Sequence, residues 1–185
     1  VGETARCLSD QGGVAMIVGL IPAHNESDGI AASIASAAAQ VDHVIVISDN
    51  STDNTVALAE QAGATVIESV SNRDKKAGAL NQALNAMLDL GDSPFELPVL
   101  ADDDFVLVMD ADSRIDEGFV DRAIEEFDLT PDAGAVGGVF LGDPGGGLVA
   151  QLQRNEYIRY AREVARRKAR AWVLTGTASV LRVDV

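Results

Sequence analysis

The sequence predicts an α/β fold in which helices cover both faces of a mostly parallel central sheet. Strand-like apolar runs alternate with helix-like segments in units of roughly 20 to 30 residues, as expected for parallel strands joined by helical crossovers. Hydrophobic residues make up 47% of the chain and aromatic residues only 4%, a composition that suits aliphatic helices packed on a sheet. At 185 residues, the chain is long enough to bury one substantial core.

Short apolar runs predict the strands of this sheet, because they lack a helical period and end at turn residues. The first run closes at Pro22, and the fourth, which begins FVLVM, leads directly into Asp110 and Asp112. Glycines flank the fifth run. The predicted strands cover residues 14–21, 44–47, 64–67, 105–109, 135–140 and 177–183.

Helix-like segments separate the predicted strands. Asn25 or Ser27 is a candidate N-cap for the first helix, and Gly91 ends the third, in which apolar residues recur with a helical period. The predicted helices cover residues 28–40, 55–61, 75–90, 117–127 and 148–170. Residues 1–13 are polar and predict a flexible leader, so that residues 14–185 form a single domain.

The overall charge narrows the choice of partner. A formal net charge of −15 argues against nucleic acid or an anionic membrane as the default partner. Cys7 is the only cysteine, which excludes an internal disulfide and favours a reducing, cytoplasmic location. No apolar run reaches the roughly 18 to 20 residues needed to cross a bilayer.

The last predicted helix differs chemically from everything before it. Residues 1–150 contain 6 basic and 26 acidic side chains, whereas residues 151–170 contain 7 basic and 2 acidic ones. The basic helix could contact a phosphorylated acceptor or the cytoplasmic face of a membrane. We favour the simpler interpretation, in which its arginines are solvated or pair with the chain's own acidic side chains. The basic residues are Arg154, Arg159, Arg162, Arg166, Arg167, Lys168 and Arg170.

Polar residues follow three of the predicted strands. In an open α/β sheet, ligands bind beyond the carboxyl ends of the strands, so these residues are expected to meet at one edge. A cluster of carboxylates repels itself unless a cation or a hydrogen-bonding ligand lies within it, which favours a nucleotide with Mg²⁺ or Mn²⁺. The alternative is an acidic turn in which Asp112 and Ser113 cap the next helix. The residues concerned are Pro22 to Glu26, Asp49 to Ser51, Asp110 and Asp112.

A lysine at the start of the third predicted helix has two interpretations. Lys76 is unfavourable there for the helix dipole, so a diphosphate partner would explain it. Gly78, two residues later, would let a ligand approach the backbone. In the simpler interpretation, Lys75 and Lys76 are solvated.

Other nucleotide and metal sites lack their signatures. The chain contains neither GxGxxG after the first strand nor GxxxxGK[ST] anywhere, so a dinucleotide-binding Rossmann domain and a phosphate-loop NTPase are not indicated. His24 and His43 have a predicted helix between them and no suitable third ligand nearby, so a zinc site is not expected.

Four segments together resemble the family 2 inverting glycosyltransferases, which have the GT-A fold. They are IPAHNE at 21–26, VIVISDNSTDNT at 44–55, KAGALNQAL at 76–84 and VMDAD at 108–112. Each is weak alone, but their order and spacing match the family. The resemblance covers residues 14–183, and KAGALN with the later TGTASVLR is most similar to the cellulose-synthase-like branch.

The resemblance implies a role for each matched residue. Asp49 would hydrogen-bond the uracil of a UDP-sugar, Lys76 would approach its diphosphate, and Asp112 would bind Mn²⁺ or Mg²⁺ with Asp110 beside it as the DxD pair. Thr175 and Gly176 would lie near an acceptor, which is a saccharide, a lipid or a protein. The nucleotide would contact Pro22, Ala23, Glu26, Asp49, Ser51, Lys76 and Asp110.

The sequence departs from the family pattern in two places. Ser48 and Asp49 replace the usual pair of aspartates, and Asn50 replaces a glycine. The family's general base, in a TED-like segment, and its QxxRW motif should follow the last strand, so we expect the base beyond Val185 and a chain truncated before it.

The implied reaction is an in-line displacement at the anomeric carbon of the donor sugar. Three alternatives stay open. A sugar-phosphate nucleotidyltransferase would need a glycine-rich triphosphate loop after the first strand, and an aspartyl phosphatase would place its DxD there. The third is a nucleotide-sugar-binding module or fragment without catalysis.

Overall fold

The computed structural model describes residues 14–142, 147–166 and 177–184. The predicted leader with Cys7, and the acceptor-side residues Thr175 and Gly176, lie outside this part of the chain. None of the described helices is both long enough and apolar enough to cross a membrane. The strands are β1 (Ile17–Ala23), β2 (His43–Ser48), β3 (Thr65–Glu68), β4 (Phe105–Met109), β5 (Ala135–Gly137) and β6 (Ala178–Arg182). The helices are α1 (Ile30–Ala38), α2 (Thr55–Gln61), α3 (Lys75–Met87), α4 (Phe119–Leu129) and α5 (Leu148–Arg166).

The strands form one mixed sheet in the order β3-β2-β1-β4-β6-β5. β1 pairs in parallel with β2 on one side and β4 on the other, and β2 pairs in parallel with β3. β6 lies antiparallel between β4 and β5. The predicted, mostly parallel α/β sheet is therefore confirmed, and β6 is its one reversed strand within the described residues.

Apolar clusters lie on both faces of the sheet. One contains Ile30 and Ile34 of α1 and Val120 and Phe127 of α4. The other contains Ala79, Ala83 and Met87 of α3. All seven residues of β1 are buried, which explains why its sequence is a continuous apolar run rather than an alternating one.

β1 extends past the predicted strand end at Pro22. Proline lacks the N–H that a strand needs toward its neighbours. The pairing of β1 with β4 stops at Leu20 and Val108, whereas its pairing with β2 continues through Pro22 to Ala23. Pro22 therefore lies where β1 has only one neighbour, and the strand tolerates it.

Two predicted helix starts are wrong. α1 is preceded by Gly29 without a side-chain cap, because Asn25 and Ser27 instead contact the loop after β2. α4 begins at Phe119 after Gly118, which has a φ of 71°. Asp112 and Ser113 are therefore too far before α4 to cap it, and the alternative in which they serve as helix caps is wrong.

Candidate functional site

The parallel alignment of β2, β1 and β4 places their carboxyl ends at one edge of the sheet. β1 and β2 end opposite each other at Ala23 and Ser48, and β4 ends at Met109. The loops that follow these strands carry the predicted polar residues. His24 follows β1 at this edge, whereas His43 begins β2 and pairs with Val18 near the opposite end of β1, so the two histidines do not meet in a metal site.

Backbone-to-side-chain hydrogen bonds fasten the loop after β1 to the loop after β2. The Asn25 amide nitrogen donates to Ser51 Oγ at 3.2 Å, and the Thr52 amide nitrogen donates to Asn25 Oδ1 at 2.7 Å. Asn25 has a positive φ of 57°, which asparagine tolerates better than most residues. These contacts hold Ser51 beside Asn25, two residues after Ala23, at the carboxyl ends of β1 and β2.

A second pair of contacts lies further along both segments. The Glu26 amide nitrogen donates to Thr55 Oγ1 at 2.8 Å, and the Ser27 amide nitrogen donates to Asp53 Oδ2 at 3.2 Å. Asp53 also accepts the Thr55 hydroxyl, and this hydrogen bond with the others lowers the pKa of Asp53 to about 2. The turn-type residues STDNT carry no signal that predicts these contacts, which join residues about 25 positions apart and which we call the clasp.

Asp49 accepts hydrogen bonds that favour its ionised form. Ser69 Oγ donates to Asp49 Oδ1 at 2.6 Å, and Asn50 Nδ2 donates to the same oxygen at 3.0 Å. Ser69 is the main reason that the pKa of Asp49 is lowered. His24 Nδ1 lies 2.6 Å from the Asp49 carbonyl oxygen, and because a carbonyl only accepts, Nδ1 is the protonated nitrogen. Asp49 is thus a fixed, ionised acceptor.

Ser48 leaves one polar atom without a partner beside Asp49. Its side chain is 1% exposed, and its hydroxyl is the one buried side-chain polar atom without a hydrogen bond among residues 14–142, 147–166 and 177–184. A buried hydroxyl without a partner is costly. The position is the one at which the sequence departs from the family's aspartate pair.

Lys76 reaches the carboxylate pair from the other face of the sheet. Its ammonium group forms an ion pair with Asp110 Oδ1, and both side chains are part-exposed, at 41% and 33%. The solvated interpretation of Lys76 is therefore wrong, because α3 directs the side chain to the edge where β4 ends.

Gly78 has a different role from the predicted one. A Cβ at this position would lie 2.0 Å from Asn72 Oδ1, so an asparagine side chain rather than a ligand occupies the space. Asn72 Nδ2 donates to the Lys75 carbonyl at 2.7 Å, and the Asp74 amide nitrogen donates to Asn72 Oδ1 at 3.1 Å. Asn72 and Gly78 together shape the start of α3, where Lys75 has a positive φ of 50°.

Four carboxylates from three loops interact at this edge. Burial raises the pKa of Glu26, and the negative charges of Asp112, Asp53 and Asp110 raise it further. Glu26 is therefore close enough to the pair that follows β4 for the two charges to act on it. The backbone of that pair is held at Asp110, whose amide nitrogen donates to the Thr177 carbonyl at 3.0 Å.

These carboxylates could bind a hard divalent cation, but they would supply only part of its coordination. Oxygen donors suit Mg²⁺ and Mn²⁺, and a cation would relieve the repulsion that raises the pKa of Glu26. Among the described residues, no group of three or more histidine, cysteine, aspartate or glutamate side chains forms a complete metal site. Phosphate oxygens and water would have to complete the coordination, as is usual for Mg²⁺.

Comparisons with known proteins identify a family and a fold. The model of a family described as Glycosyl transferase family 2 matches residues 20–89 and 99–185. The search of curated proteins finds no match. Solved structures that resemble the chain include one described only as a mycobacterial protein, with 23% identity over 92% of this chain and 54% of the other and a TM-score of 0.58.

A second similar structure is glucosyl-3-phosphoglycerate synthase from Mycobacterium tuberculosis with UDP, at 22% identity over 92% of this chain and 57% of the other, with a TM-score of 0.57. The same enzyme with Mn²⁺, UDP-glucose and phosphoglyceric acid gives 23% identity, the same two coverages and a TM-score of 0.54. At these identities the likeness shows a shared fold. The chain spans a little over half the length of these proteins.

Proposed function

Because the chain belongs to glycosyl transferase family 2 and has the GT-A fold of its structural neighbours, we propose that it transfers a sugar from a UDP-sugar to an acceptor hydroxyl with inversion. The observation that carries this proposal is the convergence of Asp49, Lys76 and the Asp110–Asp112 pair on one edge of the sheet. Asp49 offers a hydrogen-bond acceptor for the nucleobase, and Lys76 offers a positive charge for the diphosphate. The Asp110–Asp112 pair offers carboxylates for a metal ion.

The base and ribose of the donor would lie between the loops after β1 and β2. Hydrogen bonds from Ser69 and Asn50 keep Asp49 ionised, so it can accept the N3–H of uracil but has no proton to offer in return. The wall that Pro22, Ala23, Glu26 and Ser51 form with it would hold the ribose. The clasp between the two loops means that this wall is largely preformed, which lowers the entropic cost of binding.

The diphosphate would lie between α3 and the end of β4. Lys76 is paired with Asp110, and in the complex its ammonium group would turn to the phosphate oxygens, where its positive charge offsets the donor's negative charge. Asp112, whose side chain is exposed, would hold the divalent cation with Asp110 beside it. Mn²⁺ or Mg²⁺ there would neutralise the charge of the departing nucleoside diphosphate.

The transfer itself needs groups beyond the described donor site. The acceptor oxygen bonds to the anomeric carbon as the bond from that carbon to the diphosphate oxygen breaks, and a general base takes the hydroxyl proton. We assign no described residue as this base, and we place the acceptor near Thr175 and Gly176. The acceptor is a saccharide, lipid or protein hydroxyl.

The KAGALN and TGTASVLR segments support membership of the cellulose-synthase-like branch. The basic helix α5 could contact the cytoplasmic face of a membrane, which is a less favoured partner.

A thermal-shift panel tests the donor class. The protein is heated with UDP-, GDP- and CDP-sugars in Mn²⁺, in Mg²⁺ and in EDTA, because a ligand that binds only the native state raises its melting temperature. We expect UDP-sugars with either metal to raise the melting temperature and the same compounds in EDTA to do so much less. Stabilisation by GDP- or CDP-sugars alone would contradict the donor assignment.

A non-catalytic, nucleotide-sugar-binding role is the second candidate, because no general base is identified among the described residues. Release of UDP in the presence of an acceptor mixture separates the two functions. Binding without release of UDP would favour the binding role. Consumption of UTP with a sugar phosphate and formation of diphosphate would instead indicate a nucleotidyltransferase.

A further inference from the structure

One face of α1 carries a polar stripe that no predicted role explains. Gly29, Ser33, Ser36 and Gln40 follow one another at intervals of four, three and four residues, the spacing that places side chains on one side of a helix. This side faces the irregular chain segment 110–118 between β4 and α4. We call these four residues the α1 polar stripe.

The upper part of the stripe contacts the middle of the aspartate pair. Ser33 is 1% exposed, and its hydroxyl donates to the Ala111 carbonyl oxygen at 2.7 Å. One turn earlier, a Cβ on Gly29 would lie 3.2 Å from both the Ala111 carbonyl oxygen and Asp112 Cα. The backbone between Asp110 and Asp112 therefore rests against α1 and is bonded to it.

The lower part of the stripe binds the backbone that follows. The Ile115 amide nitrogen donates to Ser36 Oγ at 3.2 Å. Gln40 Nε2 donates to the Asp116 carbonyl at 3.0 Å, and the Val120 amide nitrogen donates to Gln40 Oε1 at 3.2 Å. Buried backbone groups outside helices and strands need such partners. The stripe therefore supplies the backbone of segment 110–118 with the hydrogen-bond partners that a neighbouring strand would otherwise provide.

From these contacts we propose that Ser33 is a positioning residue for the metal-binding aspartates, acting through the Ala111 carbonyl. The inference rests on the proposed function. Ala111 lies between the two carboxylates, and its carbonyl belongs to the peptide that joins it to Asp112. A rotation of this peptide therefore changes the direction of the Asp112 side chain relative to that of Asp110. A buried hydrogen bond of fixed direction restricts that rotation. Octahedral Mg²⁺ and similar cations tolerate little displacement of their ligands.

Ser36 provides a matched control. It is also a serine of the stripe with a hydrogen bond to segment 110–118, but its contact is with Ile115, three residues beyond Asp112. Both Ser33→Ala and Ser36→Ala delete one hydroxyl and one contact with the same segment. A purely structural role for the stripe predicts similar effects of the two substitutions on ligand binding, whereas a positioning role predicts different ones.

Calorimetric titration of UDP into each variant, in Mn²⁺ and in EDTA, tests the proposal. Loss of a group that supports metal ligands typically weakens metal binding about 10-fold or more, so we expect Ser33→Ala to raise the Kd for UDP in Mn²⁺ about 10-fold. The Kd in EDTA should change less than about twofold, and Ser36→Ala should resemble wild type in both conditions. Ser33→Cys, which keeps the side-chain shape with a weaker donor, should give an intermediate Kd and serves if Ser33→Ala does not fold.

Equal Kd values for wild type and Ser33→Ala in Mn²⁺ would overturn this inference and leave the proposed function intact. An equal rise for Ser33→Ala and Ser36→Ala would also overturn it, because the stripe would then act only through the fold. A wild-type chain that binds UDP no better in Mn²⁺ than in EDTA would overturn the proposed metal site and this inference with it.

Discussion

The pKa values of Asp49, Asp53 and Glu26 are shifted in different directions because their surroundings differ. Asp49 and Asp53 accept hydrogen bonds from hydroxyl groups, and the pKa of each is lowered. Glu26 loses solvent and faces other carboxylates, so its pKa is raised. In the absence of ligand, Asp49 and Asp53 are therefore already stabilised in their ionised form, whereas ionised Glu26 would be stabilised by a bound cation.

Replacing Asp53 with alanine should make the stability of the fold less dependent on pH. The folded pKa of about 2 lies below the ordinary value of 3.8, so the stabilisation from ionised Asp53 is complete above pH 3.8 and is lost as the pH falls toward 2. Wild type should be more stable than Asp53→Ala to urea at pH 6, and the difference should shrink below about pH 4. A difference that stays constant down to pH 2 would contradict the clasp.

Replacing Glu26 with glutamine should stabilise the metal-free fold at neutral pH. A folded pKa above the ordinary 4.5 means that ionisation of Glu26 opposes folding as the pH rises through the range between those two values. We expect Glu26→Gln to raise the free energy of unfolding at pH 7 by about 0.5 kcal/mol, a usual size for a part-exposed charge interaction. The gain should disappear below pH 4.5 and in the presence of Mn²⁺ with UDP.

Glu60→Gln on the exposed side of α2 provides the control for Glu26→Gln. Glu60 is not among the carboxylates whose charges raise the pKa of Glu26, so its effect should not depend on Mn²⁺ with UDP. A destabilised Glu26→Gln variant at pH 7 in EDTA would contradict the account in which burial, together with the neighbouring carboxylates, opposes ionisation of Glu26.

Single residues also mark what the sequence could and could not predict. Asp49, Lys76, Asp110 and Glu26 were predictable as neighbours because each follows a strand or begins a helix at one edge. The clasp between the segments of Asn25 and Asp53 was not predictable from sequence. Its turn-type residues can form hydrogen bonds within their own loop as readily as with a distant loop. Only the register of β1 against β2 decides between them.

At the scale of elements, α3 depends on a glycine for an unusual reason. A glycine within a helix normally costs about 1 kcal/mol relative to alanine, so Gly78→Ala would be expected to stabilise α3. Asn72 Oδ1 occupies the space of the new Cβ, and moving Asn72 breaks its hydrogen bonds to Lys75 and Asp74. Each such bond contributes about 1 kcal/mol.

We therefore predict that Gly78→Ala destabilises the fold by about 1 kcal/mol, the helix gain minus two lost hydrogen bonds. In an Asn72→Ala background the closest contact is absent and only Asp74 Cβ, at 3.0 Å, remains near the new Cβ, so the same substitution should destabilise the fold much less. Urea unfolding of the two single variants and the double variant measures this coupling. Additive effects would contradict the packing of Asn72 against α3.

The sequence predicted the positions of the strands better than their directions. The apolar runs located all six strands, because buried strands need no alternation. The antiparallel direction of β6 was not predictable, since periodicity carries no information on direction and the alternation of strands and helices favours parallel pairing. Among the residues of α5 whose burial is described, none is buried, and Leu152 is 57% and Ile158 45% exposed.

At the scale of the whole molecule, the charge distribution agrees with the proposed site. The chain carries a net charge of −15, and the carboxylates at the carboxyl edge add to the local negative potential. Such a surface repels a free nucleoside diphosphate unless a divalent cation accompanies it. We therefore expect donor binding to depend on the metal more strongly than the hydrogen bonds to the base alone would require.

One titration tests the central claim most directly, with UDP added to wild type, Asp112→Asn and Asp116→Asn in Mn²⁺. Asp116 is an exposed aspartate four residues beyond Asp112 and serves as the matched control. We predict that Asp112→Asn raises the Kd for UDP about 10-fold or more, that Asp116→Asn leaves it unchanged, and that all three proteins melt at similar temperatures. Equal affinities of wild type and Asp112→Asn for UDP in Mn²⁺ would contradict the assignment of this edge as a metal and diphosphate site.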